Sequence, residues 1–148
     1  MYPQITVNFV AVFAAVVASF VFGFAWYGPL LGETWRKLMN MPADMRPIAS
    51  AMFGSIIINL IGTFLIAFVL SHMLDIWRPS VWNIPGRSDE PFYFYAFNAA
   101  IFTWLGFFVP MLLNQVAWEG RSWKLFGFNA AYHLINLFII AMILAAWH

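Results

Sequence analysis

Four long apolar runs, separated by short charged segments, dominate the hydrophobic pattern of the chain. They cover residues 5–27, 48–74, 92–116 and 125–147, and none of them contains Lys, Arg, Asp or Glu. A charge-free apolar run of about 18 residues or more is typical of a membrane-spanning helix. The runs also lack the strict alternation of barrel strands. The pattern therefore predicts an all-α integral membrane four-helix bundle, with a single transmembrane domain over residues 1–148.

The first connecting segment contains a short amphipathic stretch at residues 33–41. Trp35, Leu38 and Met39 recur at the i, i+3, i+4 spacing of one helix face, while Arg36 and Lys37 fall on another. Such a stretch is typical of a helical turn that lies on the membrane surface. We expect it on the same side as the segment that joins the third and fourth runs.

Polar residues inside the apolar runs are the most informative positions of the sequence, because ionisable and polar groups are rare in lipid. Several recur at helical spacing in the second and fourth runs. The candidate intramembrane polar cluster consists of Ser19, Asn59, Thr63, Asn129, Tyr132, His133 and Asn136. The third run adds Asn98, Thr103, Asn114 and Gln115 outside this cluster.

The depths of these polar residues along their helices agree. At 1.5 Å per residue, Asn59 lies about 15 Å from the start of the second run, and His133 lies about 12 Å from the start of the fourth run. Both starts are on the side of the first and third connecting segments. A polar group without a partner in hydrocarbon costs several kcal/mol, so we expect the cluster to face the interior. Two interpretations stay open. The groups are hydrogen bonds between helices, each worth about 0.6–2 kcal/mol, or they line a cavity for a solute, proton or ligand.

Small residues follow one face of the first run. Ala11, Ala15, Ser19 and Gly23 recur every fourth residue, so they form a ridge along one side of a helix. A ridge of small side chains lets a second helix approach closely. We expect it to be buried against another span.

Composition supports the membrane assignment. Hydrophobic residues make up 64% of the chain and charged residues only 9%, against about 25% charged in a soluble domain. The chain contains no cysteine, which excludes disulfides, thiolate metal sites and a cysteine nucleophile. The net charge of +1 gives no sign of a nucleic-acid partner, so membrane lipid is the expected surrounding.

Signals of enzyme chemistry are weak in this sequence. It has no recognisable catalytic-triad spacing, phosphate loop or metal motif, and no acidic residue lies inside a predicted span. A haem with two axial histidines needs both at one height, and His72 and His133 fall at different depths. We therefore expect no catalysis and no cofactor.

The distribution of basic residues predicts the orientation. Under the positive-inside rule, the side richer in Lys and Arg is cytoplasmic. One side carries five, namely Arg36, Lys37, Arg46, Arg121 and Lys124, and the other carries Arg78 and Arg87. We therefore expect a protein of the bacterial cytoplasmic membrane with both termini outside.

Two stretches on the predicted inner side carry a family resemblance. One is Gly-Phe-Ala-Trp-Tyr-Gly-Pro-Leu at residues 23–30, followed by Gly32 and Trp35. The other is Glu-Gly-Arg-Ser-Trp-Lys-Leu-Phe at residues 119–126, followed by Asn129, Tyr132 and His133. Together they resemble the small bacterial membrane proteins grouped as domain-of-unknown-function family 1761. The resemblance implies a four-helix membrane domain and brings no established activity. The candidate inner-face motif consists of Trp26, Tyr27, Pro29, Trp35, Trp118, Glu119, Arg121 and Trp123.

These observations leave functional hypotheses from three classes. The first is a non-catalytic membrane subunit that forms homo-oligomers or joins a larger membrane assembly. The second is a small solute or ion conduit lined by the polar residues of the second and fourth helices. An enzyme that acts on lipids or quinones is the third hypothesis.

Reporter fusions test the predicted orientation. Fusions after Lys37 and Lys124 should report a cytoplasmic location and a fusion after Arg87 a location outside the membrane, because the basic residues are biased five to two. The measurement is the ratio of a periplasm-active to a cytoplasm-active reporter. A periplasmic signal at Lys37 and Lys124 would reverse the orientation and leave the number of spans unchanged.

Overall fold

The computed structural model of the protein describes residues 5–45 and 48–147. The described part contains no strand, and four stretches are long and apolar enough to cross a membrane, which confirms the all-α fold with four spans. The α-helices are α1 (Phe9–Ala25), α2 (Gly32–Leu38), α3 (Ala49–Ile76), α4 (Phe92–Thr103), α5 (Val109–Glu119) and α6 (Trp123–Ala146). Two π-helical segments, Trp26–Leu30 and Trp104–Phe108, extend α1 and join α4 to α5, and a 3-10 turn, Pro79–Trp82, follows α3.

Local capping determines where several helices begin. α1 starts at Phe9 because the Asn8 side chain accepts hydrogen bonds from the N–H groups of Val10 and Ala11, at 3.1 and 3.2 Å. Before α6, Gly120 adopts a positive φ of 67°, and the Ser122 hydroxyl accepts a hydrogen bond from the Leu125 N–H at 3.1 Å. Both features are local, because glycine adopts a positive φ without steric cost and serine is a preferred N-cap residue.

The last helix, α6, occupies the centre of the bundle. It packs against α1, α3, α4 and α5, whereas α4 and α5 make few contacts with any other span. Its inward face includes Leu137, Ile140 and Ala141, which are almost completely buried. The helices that face it contribute mainly alanine, namely Ala11, Ala15, Ala67, Ala96, Ala99 and Ala100. The predicted ridge on α1 is therefore buried at Ala11, Ala15 and Ser19 and half-buried at Gly23, and alanine contacts bring the spans close together.

α3 leaves the bundle halfway along its length. Its buried residues are Thr63, Ala67, Leu70, Leu74 and Asp75, so none precedes Thr63. At 28 residues the helix is about 42 Å long, which exceeds a hydrocarbon core of about 30 Å. The first half of α3, residues 49–62, thus contains no fully buried residue, although Leu60 near its end packs against the core.

Both π-helical segments lie beside a proline. Pro29 lies within the segment after α1, where Gly28 leaves the helical region at φ −109° and ψ −107°. Pro110 follows the segment between α4 and α5, at the start of α5. A proline removes a helical hydrogen bond, and a wider π-helical turn absorbs the loss.

The turn after α1 folds α2 back against the bundle. A Cβ at Gly32 would lie 2.5 Å from the backbone oxygen of Tyr27, so this close approach requires glycine. Trp35, Leu38 and Met39 are half-buried and Arg36 and Lys37 exposed, as the amphipathic spacing predicted. α2 therefore packs against α6 and the segment after α1.

Gly23 gives a test of the packing between α1 and α6. A Cβ at Gly23 would lie 2.8 Å from the Tyr132 hydroxyl, and the Tyr132 ring is held by a parallel stack on Phe22 at 5.5 Å. Gly23→Leu should lower thermal stability in detergent, at an overpacking cost of about 1–3 kcal/mol. Val21→Leu is the control because Val21 is exposed. Equal melting temperatures for the two variants would contradict this packing.

Candidate functional site

A cavity of about 390 Å³ opens at the end of the bundle that carries α2 and the Gly120 turn. We call this end the α2 end, and the other the terminal end, because Asn8 and Trp147 meet there. The cavity lies between α2, α5, α6 and the segment after α1. Its polar lining consists of Tyr27, Gln115, Glu119, Arg121, Asn129 and His133.

A hydrogen bond joins the two stretches that carry the family resemblance. The Tyr27 hydroxyl donates to the Asn129 Oδ1 atom at 3.0 Å, although the residues are 102 positions apart. The Tyr27 ring also packs edge-on against Tyr132 at 4.7 Å and against Trp35 at 5.5 Å. Both stretches thus form one wall of the cavity.

Three neutral side chains of the cavity keep unused hydrogen-bonding capacity. The His133 ring lies 4.8 Å from Phe108 and 5.1 Å from Tyr132 but forms no hydrogen bond with any described residue. The Gln115 side chain is likewise unpaired among the described residues, and Asn129 uses only its oxygen. Sequence reasoning left Gln115 outside the candidate cluster; its position at the end of the third run was the only available signal.

The charged groups at this end pair with one another near water. Glu119 and Arg121 approach to 3.8 Å at the rim and form an ion pair. On exposed α2, Lys37 lies 2.8 Å from Glu33, and its hydrogen bond and positive charge lower the pKa of the Glu33 carboxyl. The cavity interior is therefore polar without an unpaired charge among the described residues.

Other members of the candidate cluster lie deeper in the bundle. Ser19, Thr63 and Asn136 are buried, on α1, α3 and α6 respectively, and Tyr132 is buried beside them. No described residue forms a hydrogen bond with the Asn136 Oδ1 atom. These groups face the interior, as expected, but they are separate from the cavity lining.

Asn59 departs from the expected position. We expected it inside the bundle with Thr63, but it lies on the exposed surface of α3, next to Ile58, which is 73% exposed. The cause is the departure of α3 from the bundle before Thr63. The predicted cluster is therefore divided among the α2-end cavity, the buried centre and this exposed helix surface.

The candidate inner-face motif also divides. Tyr27, Trp35, Glu119 and Arg121 line the cavity. The remaining members do not: Trp26 packs on Phe22, Phe128 and Tyr132, Pro29 is exposed in its turn, and Trp118 and Trp123 point outward. The two outward tryptophans suit a membrane interface, where indole N–H groups reach water.

Sequence reasoning missed a buried charge cluster at the terminal end. Arg78, counted only as a flanking charge, is 6% exposed, and its Nη2 donates to the Ala145 oxygen at 3.1 Å. Its guanidinium lies 4.0 Å from both Asp75 and Asp89, and 5.0 Å from the centre of the Tyr95 ring. Because α3 extends to Ile76, Asp75 is part of the helix, which corrects the expectation that no acidic residue lies inside a span. The Asp-x-x-Arg spacing was the available signal.

The long apolar helices, with polar side chains gathered inside the bundle, define a small integral membrane protein of the four-helix class. A family model described as "Protein of unknown function (DUF1761)" matches residues 10–145, so the chain belongs to this family. No curated protein and no solved structure matches the chain.

The buried arginine should be essential for stability. Arg78→Leu removes the positive charge between Asp75 and Asp89, and breaking a buried pair in this way costs about 3–5 kcal/mol. Arg87→Leu, in the same loop, is the control and should change stability by about 0.5 kcal/mol or less. Thermal unfolding of both variants in one detergent measures the difference, and similar values would refute the role of Arg78.

Proposed function

We propose that the protein is a non-catalytic membrane subunit that self-associates through the first half of α3. The observation that carries this proposal is the position of Asn59. Its amide side chain lies on an exposed helix surface, about 15 Å from the start of α3, and thus within the hydrocarbon. No described residue pairs with it.

Burial against a second copy would give the Asn59 amide a partner. An asparagine amide both donates and accepts, so two copies related by a two-fold axis can pair Asn59 with Asn59. Interhelical contacts of this kind in membranes are worth about 0.6–2 kcal/mol. If the Asn59 side chain faced lipid instead, its amide would remain without a hydrogen-bond partner.

The surroundings of Asn59 permit close approach of another helix. Ser55 lies one turn before it, and Gly62 lies one turn after it. A Cβ at Gly54 or Gly62 would meet nothing within 4 Å, so the helix surface is open at both positions. Small residues beside a polar residue are typical of interfaces between membrane helices.

The conduit hypothesis ranks second. A second cavity, of about 310 Å³, lies at the terminal end and includes Asn8 and Asp75 in its lining. Between the two cavities stands a layer of buried apolar side chains that includes Leu70, Leu137 and Ile140, none more than 1% exposed. Passage through one copy would require this layer to open, so the present packing favours a subunit over a conduit.

The arrangement around His133 supports the non-catalytic part of the proposal. A histidine base needs a nucleophile or substrate proton within hydrogen-bonding reach and is commonly oriented by a carboxylate. Among the described residues, neither a hydroxyl nor a carboxylate hydrogen-bonds to His133. The ring instead contacts Phe108 and Tyr132.

We further propose the bacterial cytoplasmic membrane as its location, with both termini outside. Burial of Arg78 supports this orientation, because Arg87 is then the one solvent-exposed Lys or Arg among the described residues at the terminal end. The hydrogen bond from the Asn8 side chain to the Trp147 oxygen, at 2.9 Å, is consistent with both chain ends on one side.

Single-cysteine cross-linking tests self-association, and the chain provides a cysteine-free background. In native membranes, Ser55→Cys should form disulfide-linked dimers on mild oxidation, because Ser55 shares the helix face of Asn59. Adding Asn59→Leu should reduce the dimer yield, since the pairing amide is lost.

Met111→Cys is the control for random collision. Met111 is exposed on α5, about 12 Å from the end of that helix at the α2 end. Ser55 lies about 9 Å from the start of α3 at the same end, so the two positions have similar depths in the membrane. Equal dimer yields at Ser55 and Met111, or a yield at Ser55 that Asn59→Leu leaves unchanged, would overturn the proposed interface.

A further inference from the structure

We infer that the α2-end cavity is a binding site for a small, uncharged, ring-shaped molecule with carbonyl or hydroxyl groups at its edge, the chemistry of a quinone headgroup. The inference does not depend on self-association. It rests on the meeting of three polar side chains with unused hydrogen-bonding capacity, Gln115, Asn129 and His133, in one cavity. The rest of the lining is aromatic and aliphatic, apart from the ion pair of Glu119 and Arg121 at the rim.

The size and walls of the cavity suit a single flat ring system. Its volume of about 390 Å³ lies at the lower end of the range for small-molecule sites, about 300–1,000 Å³. Tyr27 and Trp35, packed edge to face at 5.5 Å, form one aromatic wall, and Leu112 and Leu125 contribute aliphatic surface. Aromatic side chains pack well against a ring in stacked or edge-on geometry.

The polar groups specify hydrogen bonds at the edge of the ring. The Asn129 oxygen is occupied by Tyr27, which leaves its two amide N–H donors available. The Gln115 amide adds donors and an acceptor, and the His133 imidazole adds one of each in its neutral form. Ring carbonyl groups accept from these donors, and ring hydroxyls also donate to the Gln115 oxygen or the His133 nitrogen.

Depth explains why a polar ligand stabilises this site. His133 lies about 15 Å from the start of α6, within the hydrocarbon region. A polar group there without a partner costs free energy that a bound carbonyl or hydroxyl recovers. The free energy of binding is therefore most favourable for a molecule that is soluble in lipid and polar at its edge.

The electrostatics of the site favour an uncharged ligand. The fixed charges of the lining, Glu119 and Arg121, neutralise each other across 3.8 Å at the rim. A charged ligand would lose its hydration without meeting an unpaired opposite charge among the described residues. This distinguishes the site from one built for a phosphate or a fatty-acid carboxylate.

Binding of 2-methyl-1,4-naphthoquinone to the full chain in nanodiscs tests the inference. Equilibrium dialysis against empty nanodiscs corrects for partition into lipid, and the absence of cysteine removes thiol alkylation by the quinone. We expect saturable binding of the quinone and weaker binding of naphthalene, which lacks the edge oxygens. Gln115→Leu should weaken quinone binding about tenfold by removing its hydrogen bonds.

Asn114→Leu is the matched control, because Asn114 is the adjacent amide on α5 but is exposed and does not line the cavity. It should change quinone affinity by about twofold or less. His133→Leu should weaken quinone binding as Gln115→Leu does. If His133→Leu fails to fold, the affinity of Gln115→Leu alone decides the test. A melting temperature of Gln115→Leu equal to that of Asn114→Leu shows that the variant is folded.

Three results would overturn the inference. One is non-saturable quinone uptake equal to that of empty nanodiscs, which would leave water as the occupant of the cavity. Another is equal quinone affinity for Gln115→Leu and Asn114→Leu, which would place the ligand elsewhere. The third is tighter binding of 1-naphthoate than of the quinone, which would make the site an anion site.

Discussion

The alanine-lined contact between α6 and the other spans is the interaction on which the rest of the molecule depends. Small side chains on both sides, such as Ala15 and Ala141, let the helices approach closely enough for dispersion forces to hold them in a medium that gives no hydrophobic drive. The central position of α6 also explains the functional geometry, since Asn129 and His133 extend from it toward the α2 end, and its last turn accepts the Arg78 hydrogen bond.

How much of this arrangement the sequence could predict depends on the range of the interactions involved. The spans, the Ser122 cap and the positive φ of Gly120 follow from neighbours in the chain. The spans were predicted, and serine and glycine are the local signals for the cap and the turn. Helical spacing also gave the shared face of Asn59 and Thr63, yet one is exposed and the other buried. Periodicity identifies a helix face, but only the packing of other helices determines how far along that face a neighbour extends.

The same limit applies to the two ends of the bundle. The sequence stretches around Tyr27 and Asn129 both carry the family resemblance. Their hydrogen bond and the position of Gln115, however, depend on the close approach at Gly32 and the π-helical segment before Pro110. At the terminal end, the burial of Arg78 required α3 to extend past the apolar run, and helix ends are the least certain feature of a hydrophobic pattern.

The central place of the last span has a consequence for biosynthesis. Chains emerge from the ribosome with the N-terminus first, so α1, α3, α4 and α5 enter the membrane before α6 exists. α4 and α5 have few contacts with the earlier spans, and their main partner is still being translated. α1 and α3 can pack against each other before α6 is made, but α4 and α5 wait for its insertion, and a truncation upstream of Trp123 leaves α4 and α5 without their main partner.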